Sequence, residues 1–484
     1  MDRESLINIL RFLSLVGIII DVLFYIPIIT GWIYGENVHW FAQFTIATTA
    51  LFATLLLYLE GYKIRMKIRD AILSVNLTWI LAGIMGAVPL MIETKVSFAN
   101  GFFEAISGFT TTGATIYSQI EELPKNILML RSVMHWIGGL GIIVLGIGLL
   151  AILNPTGSFT LFKSESTGIS TEKIAPKMKQ IALLLWKIYL LITLLDIGLL
   201  KIEGMTLFDA INHAFSTVST GGFSTKNASL GYWDNNYWIL WTTTFFMFIS
   251  GINFLVHIRL IRGSFSGFKG EEVRVYTIIF ILFSVALGTI HYLKSHDGLF
   301  FSMTHSFFTI ASILTTTGFA TLDYTQWGHL AIAIIFVAML IGGNAGSTAG
   351  GVKVIRILVM VKNLRKELKK VLYPNAVVSV KVDGKPLSPM VINNVSAFII
   401  MYILTNLFLF LYLYANGYDT MTSLSAAIAC VGNIGPGFGQ VGPVDNFAFF
   451  TGTQKIVLAF GMIAGRLEFF TLILPFLPEF WNRG

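Results

Sequence analysis

The sequence predicts an all-α integral membrane protein: two leading transmembrane helices, then four pseudo-symmetric repeats of helix, short helix and helix. Three observations predict it. Of 484 residues, 55% are hydrophobic and only 12% charged, about half the charge of a soluble domain. So little polar surface cannot cover a water-exposed globule, which excludes a soluble enzyme or a nucleic-acid-binding domain. The apolar runs are long and continuous rather than alternating, which favours helices over a barrel. A glycine-centred signature also recurs four times, at Gly113, Gly222, Gly318 and Gly435, as an internal repeat would require.

A span needs about 20 apolar residues. Ten runs qualify: 6–34, 40–60, 71–92, 128–152, 181–203, 236–260, 275–294, 328–362, 390–416 and 452–478. The first begins near Leu6 and passes Ile29. That exceeds a cleavable leader's core of about 7–15 residues, so it reads as a span. Four shorter semi-apolar segments lie near 98–111, 206–219, 300–315 and 420–432. They are too short to cross and read as buried or re-entrant helices. Lys and Arg collect in 61–70, 153–180, 258–274 and 363–389. The positive-inside rule then puts these loops and both termini in the cytoplasm, in a cell inner membrane, with every short segment on the outer side. This bias also accounts for the net charge of +7. The expected organisation is 1–70 (two N-terminal transmembrane helices), 71–180 (repeat 1), 181–274 (repeat 2), 275–389 (repeat 3) and 390–484 (repeat 4). Trp32, Trp40 and Trp233 read as interfacial belts. Cys430 is the only cysteine, which excludes an intrachain disulfide scaffold.

Each short segment leads into a similar strand: Thr111-Thr112-Gly113, Thr220-Gly221-Gly222, Thr316-Thr317-Gly318 and Asn433-Ile434-Gly435. Six residues before the glycine stands a serine in three copies (Ser107, Ser216, Ser312) and Ala429 in the fourth. A cation leaving water needs oxygen ligands, and inward-facing backbone carbonyls supply them. Glycine permits the unusual dihedrals this requires. Irregular backbone at membrane depth survives only where protein buries it or water lines it. Four such strands can surround one axis, with the negative C-terminal ends of the short helices aimed at it. The strands hold no carboxylate, and Glu104 and Asp209 lie upstream. That argues for a monovalent ion on carbonyls rather than a ring of acids. Close helix packing by small residues is the plainer alternative; four copies at equivalent places outweigh it. In the fourth strand Asn433 and Ile434 replace the threonines and Pro436 follows the glycine. The ring is then only pseudo-fourfold, with its register between Gly435 and Gly437 open.

Two further features carry chemistry. Gly342, Gly343, Asn344, Ala345, Gly346, Ser347, Thr348, Ala349, Gly350 and Gly351 hold five glycines in ten positions. Each costs about 1 kcal/mol against alanine in a helix interior, so the run 328–362 should break there. Asn344, Ser347 and Thr348 would line a cavity, and the break would block ion flow and move to open it; the alternative is a packing face. Arg466 sits deep in the last run, where an arginine is by default functional. It would neutralise the cavity or hold the glycine loop by its carbonyls; the alternative is a pair with Glu468. Asp21 and Asp196 inside spans are proton-coupling groups or, more plainly, partners of polar neighbours. Lys353 and Arg356 steer ions or mark the cytoplasmic end. Lys362 to Lys370 is a basic helix, solvated or facing anionic lipid. No HExxH, Walker A or GxGxxG pattern points to a metal centre or a nucleotide site on this chain.

TTTGAT (110–115), STGGFST (219–225), TTTGFAT (315–321) and GNIGPGFG (432–439) resemble the four filter segments of the TrkH/TrkG potassium-uptake proteins, within the TrkH–KtrB–HKT superfamily. The resemblance spans essentially the whole chain. The two extra N-terminal helices are similar to TrkH rather than the shorter KtrB. Residues 342–351 and Gly465-Arg466-Leu467-Glu468-Phe469 resemble further family signatures. The resemblance implies a potassium-channel-like fold, a homodimer in the lipid bilayer, K+ as the ion carried into the cell, and no enzymatic activity. It also implies a cytosolic partner, TrkA, a ring of nucleotide-binding domains that controls the pore. In the superfamily a serine at the first filter glycine accompanies sodium transport, so Gly113 implies potassium. A sodium-permeable or poorly selective channel stays open as an alternative. So does a proton- or sodium-coupled transporter, although parallel repeats disfavour the latter.

Overall fold

The computed structural model describes residues 3–62, 67–153, 174–295 and 297–482; parts of two basic loops, 63–66 and 154–173, lie outside the described residues. Helices α1 (Arg3–Ile33) and α2 (His39–Tyr58) form a hairpin, joined edge to face by Phe24 and Phe41. Next come α3 (Ile68–Thr94), the short α4 (Phe98–Phe109) and α5 (Lys125–Leu153). The chain continues with α6 (Ile174–Ile202), the short α7 (Leu207–Val218), α8 (Tyr237–Ser250) and α9 (Phe254–Ile261). Then follow α10 (Glu271–Ser295), the short α11 (Leu299–Leu314), α12 (His329–Ile341) and α13 (Val354–Leu372). The last group is α14 (Pro389–Ala415), the short α15 (Thr420–Val431), α16 (Gly452–Arg466), α17 (Phe470–Ile473) and α18 (Pro478–Asn482).

The packing is that of a protein solvated by lipid. Large apolar side chains such as Trp32, Leu57, Leu293 and Phe408 face outward, while serines and threonines are buried. The four short helices form the centre: Phe103, Ala105, Ala210, Ala214, Ile310, Ala311, Ala426 and Ala427 are fully buried. Three of these helices start at side-chain caps, where Ser97, Thr206 and Asp419 accept the N–H groups of Asn100, Asp209 and Thr422. Such caps satisfy donors that a buried helix start would otherwise leave orphaned.

Among the described residues six helices are long and apolar enough to cross a membrane, and α8 with α9 would add a seventh as a span bent by 101°. Ten runs were expected to span, one of them broken at its glycines; among the described residues three of the runs are broken. The run 328–362 breaks between Ile341 and Val354, where the glycines predict it. The run 236–260 breaks at residues 251–253, and 452–478 at Leu467–Phe469, where Glu468 and Phe469 are left-handed (φ 57° and 62°). Continuous hydropathy reports depth in a membrane, not helix continuity, so neither break showed in the runs. A two-residue-strand hairpin, β1 (Lys381–Val382) and β2 (Lys385–Pro386), was also unforeseen. Its turn residues Asp383 and Gly384 both have positive φ, 49° and 75°, as a type I′ turn demands.

Candidate functional site: four helix ends on one axis

Helices α4, α7, α11 and α15 end in the same way. The residue past each cap is left-handed: Thr111 (φ 53°), Thr220 (55°), Thr316 (59°) and Asn433 (53°). Its N–H and the next turn back into the helix. Thr111 donates to the Gly108 carbonyl at 3.0 Å and Thr112 to the Ser107 carbonyl at 2.8 Å, and the other three ends repeat this pair. This is a Schellman stop, usually closed by Gly or Asn. A β-branched residue there is strained by about 1–3 kcal/mol, and such strain clusters at functional sites. The geometry also explains the position six residues before each glycine. Its main-chain carbonyl takes the returning N–H, at Ala429 as well as at the three serines, so the missing hydroxyl costs nothing here. Asn433, which departs from the threonine pattern, is the residue that tolerates this backbone best.

The middle residue of each strand is not left-handed, and the glycine is: Gly113 (φ 80°), Gly222 (87°), Gly318 (83°) and Gly435 (94°). Alternating hand collects N–H groups on one side and carbonyls on the other. Among the described residues, none of the carbonyls of 111–113, 220–222, 316–318 and 433–435 accepts a hydrogen bond. The strands are buried and close upon one another. A Cβ at Gly113 would collide with the Gly221 carbonyl oxygen, at Gly222 with that of Thr317, at Gly318 with that of Ile434, and at Gly435 with that of Thr112. The order returns to its start, so the four strands make one ring. Gly435 takes the fourth place, while Gly437 lies against Ser425 and Val441.

The ring is braced from behind by residues the sequence analysis passed over. His135 bonds the Gly108 carbonyl through Nδ1 (2.7 Å) and accepts the Phe223 N–H at Nε2 (3.1 Å). Arg131 donates from Nε to Glu104 (2.8 Å), from Nη1 to the Ser224 carbonyl (3.2 Å) and from Nη2 to Thr115 Oγ1 (3.1 Å). Its guanidinium also stacks 4.0 Å over the Phe223 ring. Glu104 in turn accepts the Ile116 N–H. One buried ion pair thus binds the exits of the first and second strands. The signal was present: Arg131 and His135 are polar residues one helical turn apart, inside an apolar run.

Residues 342–353 leave the helical path between α12 and α13 and lie against the ring. The Gly350 N–H donates to Thr316 Oγ1 at 2.7 Å, and Gly350 abuts Gly432 and Asn433. Thr348 Oγ1 reaches the Val218 (3.1 Å) and Ser250 (3.3 Å) carbonyls. Arg466 Nη1 donates to the Thr348 carbonyl at 2.9 Å and Nη2 to the Gly138 carbonyl at 3.4 Å. At the base, Asn344 donates its N–H to the Gly251 carbonyl, and Phe254 donates to the Gly346 carbonyl. The break between α8 and α9 is therefore the socket in which the loop sits. Gly342, Gly343, Asn344, Ser347, Thr348, Ala349 and Gly350 are buried; Ala345, Gly346 and Gly351 are partly so. Arg466 is not paired with Glu468, whose carboxylate binds Arg356 (2.7 Å) and Lys353 (3.9 Å) instead.

Asp21 accepts from Thr48 Oγ1 at 2.9 Å, the polar-neighbour arrangement. Asp196 is fully buried, and among the described residues its oxygens have no hydrogen-bond partner. Neither is bonded to the four strands. On the other side of the ring lies a vestibule of about 110 Å³, lined by the four ring glycines, Lys226 and Asp445 among others. Partial burial, and then the negative charge of Asp323, hold the Asp445 carboxyl above its ordinary value.

A family model described as "Cation transport protein" (TrkH) matches residues 39–266 and 273–483. The chain is 36% identical over 424 residues to the Trk system potassium uptake protein TrkH of Salmonella typhimurium, covering 86% of this chain and 87% of that one. It is 33% identical over 491 residues to the TrkH of Halomonas elongata, covering 99% and 100%. The crystal structure of the potassium transporter TrkH from Vibrio parahaemolyticus has the same fold, with a TM-score of 0.88 at 33% identity over 99% of this chain and 100% of that one. Those relatives are transport proteins, not enzymes. Matched in sequence and in fold over nearly its whole length, the chain belongs to the TrkH family of cation transport proteins.

Proposed function

We propose that this chain is the potassium-translocating membrane subunit of a Trk-type uptake system. The observation that carries the reading is the closed ring of strands whose carbonyls accept no hydrogen bond within the protein. Buried carbonyls need a partner. A dehydrated monovalent cation on the axis is such a partner, and its entry costs little reorganisation because the Schellman bonds already fix the strands. The named relatives are potassium proteins, which favours K+ as the cargo.

An ion would enter from the vestibule, exchange water for the carbonyls of Thr111, Thr112, Gly113 and their counterparts, and leave on the far side. There the loop 342–351, tied to Thr316 and clamped by Arg466, would act as the gate. Basic loops on that side support a cytoplasmic orientation for both termini. The relatives' names speak of a system, which supports further subunits. A TrkA-like nucleotide-binding ring under a homodimer of this chain fits that description, and the four helix ends of one geometry support the division into 1–70 and four repeats.

Gly113→Ser tests the filter. Its Cβ would meet the Gly221 carbonyl and Gly113 is left-handed, so the substitution must deform the ring. The expected result in liposomes is a clear loss of potassium preference over sodium. An unchanged preference would mean that ions are not selected at this ring.

A further inference from the structure

Glu272 is the second residue of α10, outside the ring and outside the loop, yet it is only 9% exposed. Its Oε1 accepts two main-chain N–H groups: Ala345, inside the loop, at 2.7 Å, and Ile355, just beyond it in the first turn of α13, at 3.3 Å. One carboxylate oxygen therefore ties both ends of the loop to one point. Ile355 carries one of the orphan donors of a helix start, and Ala345 lies in irregular backbone, so neither N–H has a helical partner to return to. Bonds to a charged acceptor are stronger than neutral ones, and unmet buried donors are costly. Lys353 and Arg356 add positive charge around the carboxylate, and both are bound by Glu468.

The position of Glu272 is set in turn from the surface. Asp383, at the exposed turn of the β1–β2 hairpin, accepts the Glu271 N–H at 2.7 Å. Lys362 of α13 binds both the Glu271 carboxylate and the Lys381 carbonyl. The hairpin thus grips the residue next to Glu272.

We infer that Glu272 is a positioning residue that holds the loop 342–351 shut, and that the β1–β2 hairpin, through Asp383 and Glu271, is the handle that moves it. The inference rests on reading that loop as the barrier to ions. Displacing the hairpin shifts the start of α10 and breaks the Ala345 and Ile355 bonds together. The loop is then held by the contacts of Thr348 and Gly350 and by the bonds of Asn344 and Gly346 to the α8–α9 break.

The test is radioactive rubidium uptake into liposomes holding the purified full chain with no partner protein. Glu272→Ala is expected to raise uptake at least about tenfold, the change that losing even one net charge-assisted hydrogen bond produces. Glu272→Gln keeps an acceptor oxygen but loses the charge, so it should leak clearly less than Glu272→Ala, which a general loss of packing would not allow. Asp383→Ala, on the exposed turn, should raise uptake several-fold. Arg466→Ala reports on the barrier itself. If it leaks while Glu272→Ala and Asp383→Ala do not, the loop is a barrier and the latch is refuted. If no variant leaks, the barrier reading falls first. Equal leaks from Glu272→Ala and Glu272→Gln also refute the latch, because the acceptor would then be irrelevant. Should Glu272→Ala fail to purify as a single species, Asp383→Ala decides: uptake at the wild-type level overturns the proposal.

Discussion

The side-chain amide of Asn433 donates to Thr112 Oγ1 across 3.0 Å, and to the Met462 carbonyl at the same distance. The fourth strand of the ring is thereby fastened to the first and to α16. Asn433 combines this bond with the left-handed backbone that asparagine tolerates.

Substitution at this position separates the two roles. Asn433→Gly keeps the backbone and loses the bonds; Asn433→Ala loses both. Each lost buried bond leaves partners unmet at about 1–3 kcal/mol. Thermal unfolding in detergent should rank wild type above Asn433→Gly above Asn433→Ala. Potassium selectivity should fall in both variants. Equal unfolding temperatures for the two would show that the backbone preference contributes nothing.

Thr111 offers the opposite sign. It is left-handed, and its buried hydroxyl has no hydrogen-bond partner among the described residues. Relief of about 1–3 kcal/mol of strain exceeds the entropy that glycine adds to the unfolded chain, about 0.5–1 kcal/mol. Thr111→Gly should therefore raise the unfolding temperature. A lower temperature would mean that packing of the threonine outweighs its strain.

Arg131 and Glu104 are 1% and 0% exposed in their side chains and 2.8 Å apart. Removing one partner strands the other charge, at about 3–5 kcal/mol. Arg131→Met and Glu104→Gln should each destabilise strongly, and the double variant should recover much of the loss. A purely additive double mutant in the same unfolding assay would show that the two do not act as a pair.

Asp445 supplies a pH dependence. Its carboxyl is raised by burial and by Asp323, so acid neutralises it earlier than an ordinary aspartate. As the pH on the vestibule side falls through that raised value, the vestibule loses a negative charge that concentrates cations. Uptake at low ionic strength should drop as that side is acidified, and Asp445→Asn should be slow at every pH and lack that step. A step of full size in Asp445→Asn would assign it to another group.

Much of the architecture was legible because depth in a membrane and glycine placement leave marks in composition. The short helices fall within a residue or two of 98–111, 206–219, 300–315 and 420–432, and the glycines marked the break between α12 and α13. What stayed hidden depends on contacts between distant residues. The break after Ser250 becomes intelligible only once Gly251 and Phe254 are seen to bond the loop residues Asn344 and Gly346. The role of Glu272 is invisible for the same reason, since Ala345 and Ile355 lie far along the chain. The hairpin at 381–386 is too short for a periodic pattern to register. The serine signature marked the right position without its reason: the main-chain carbonyl there takes the returning N–H in all four copies, Ala429 included.

The hydrogen bond from Gly350 to Thr316 Oγ1 has a consequence for how such a protein can be tuned. On the proposed reading of loop and ring, stopper and sieve share one hydroxyl, so withdrawing the stopper must perturb the sieve, and whatever sits in the sieve must bias the stopper by an equal free energy. Permeability and discrimination are then coupled properties of a single object, and an inhibitor or a mutation aimed at one will register in the other.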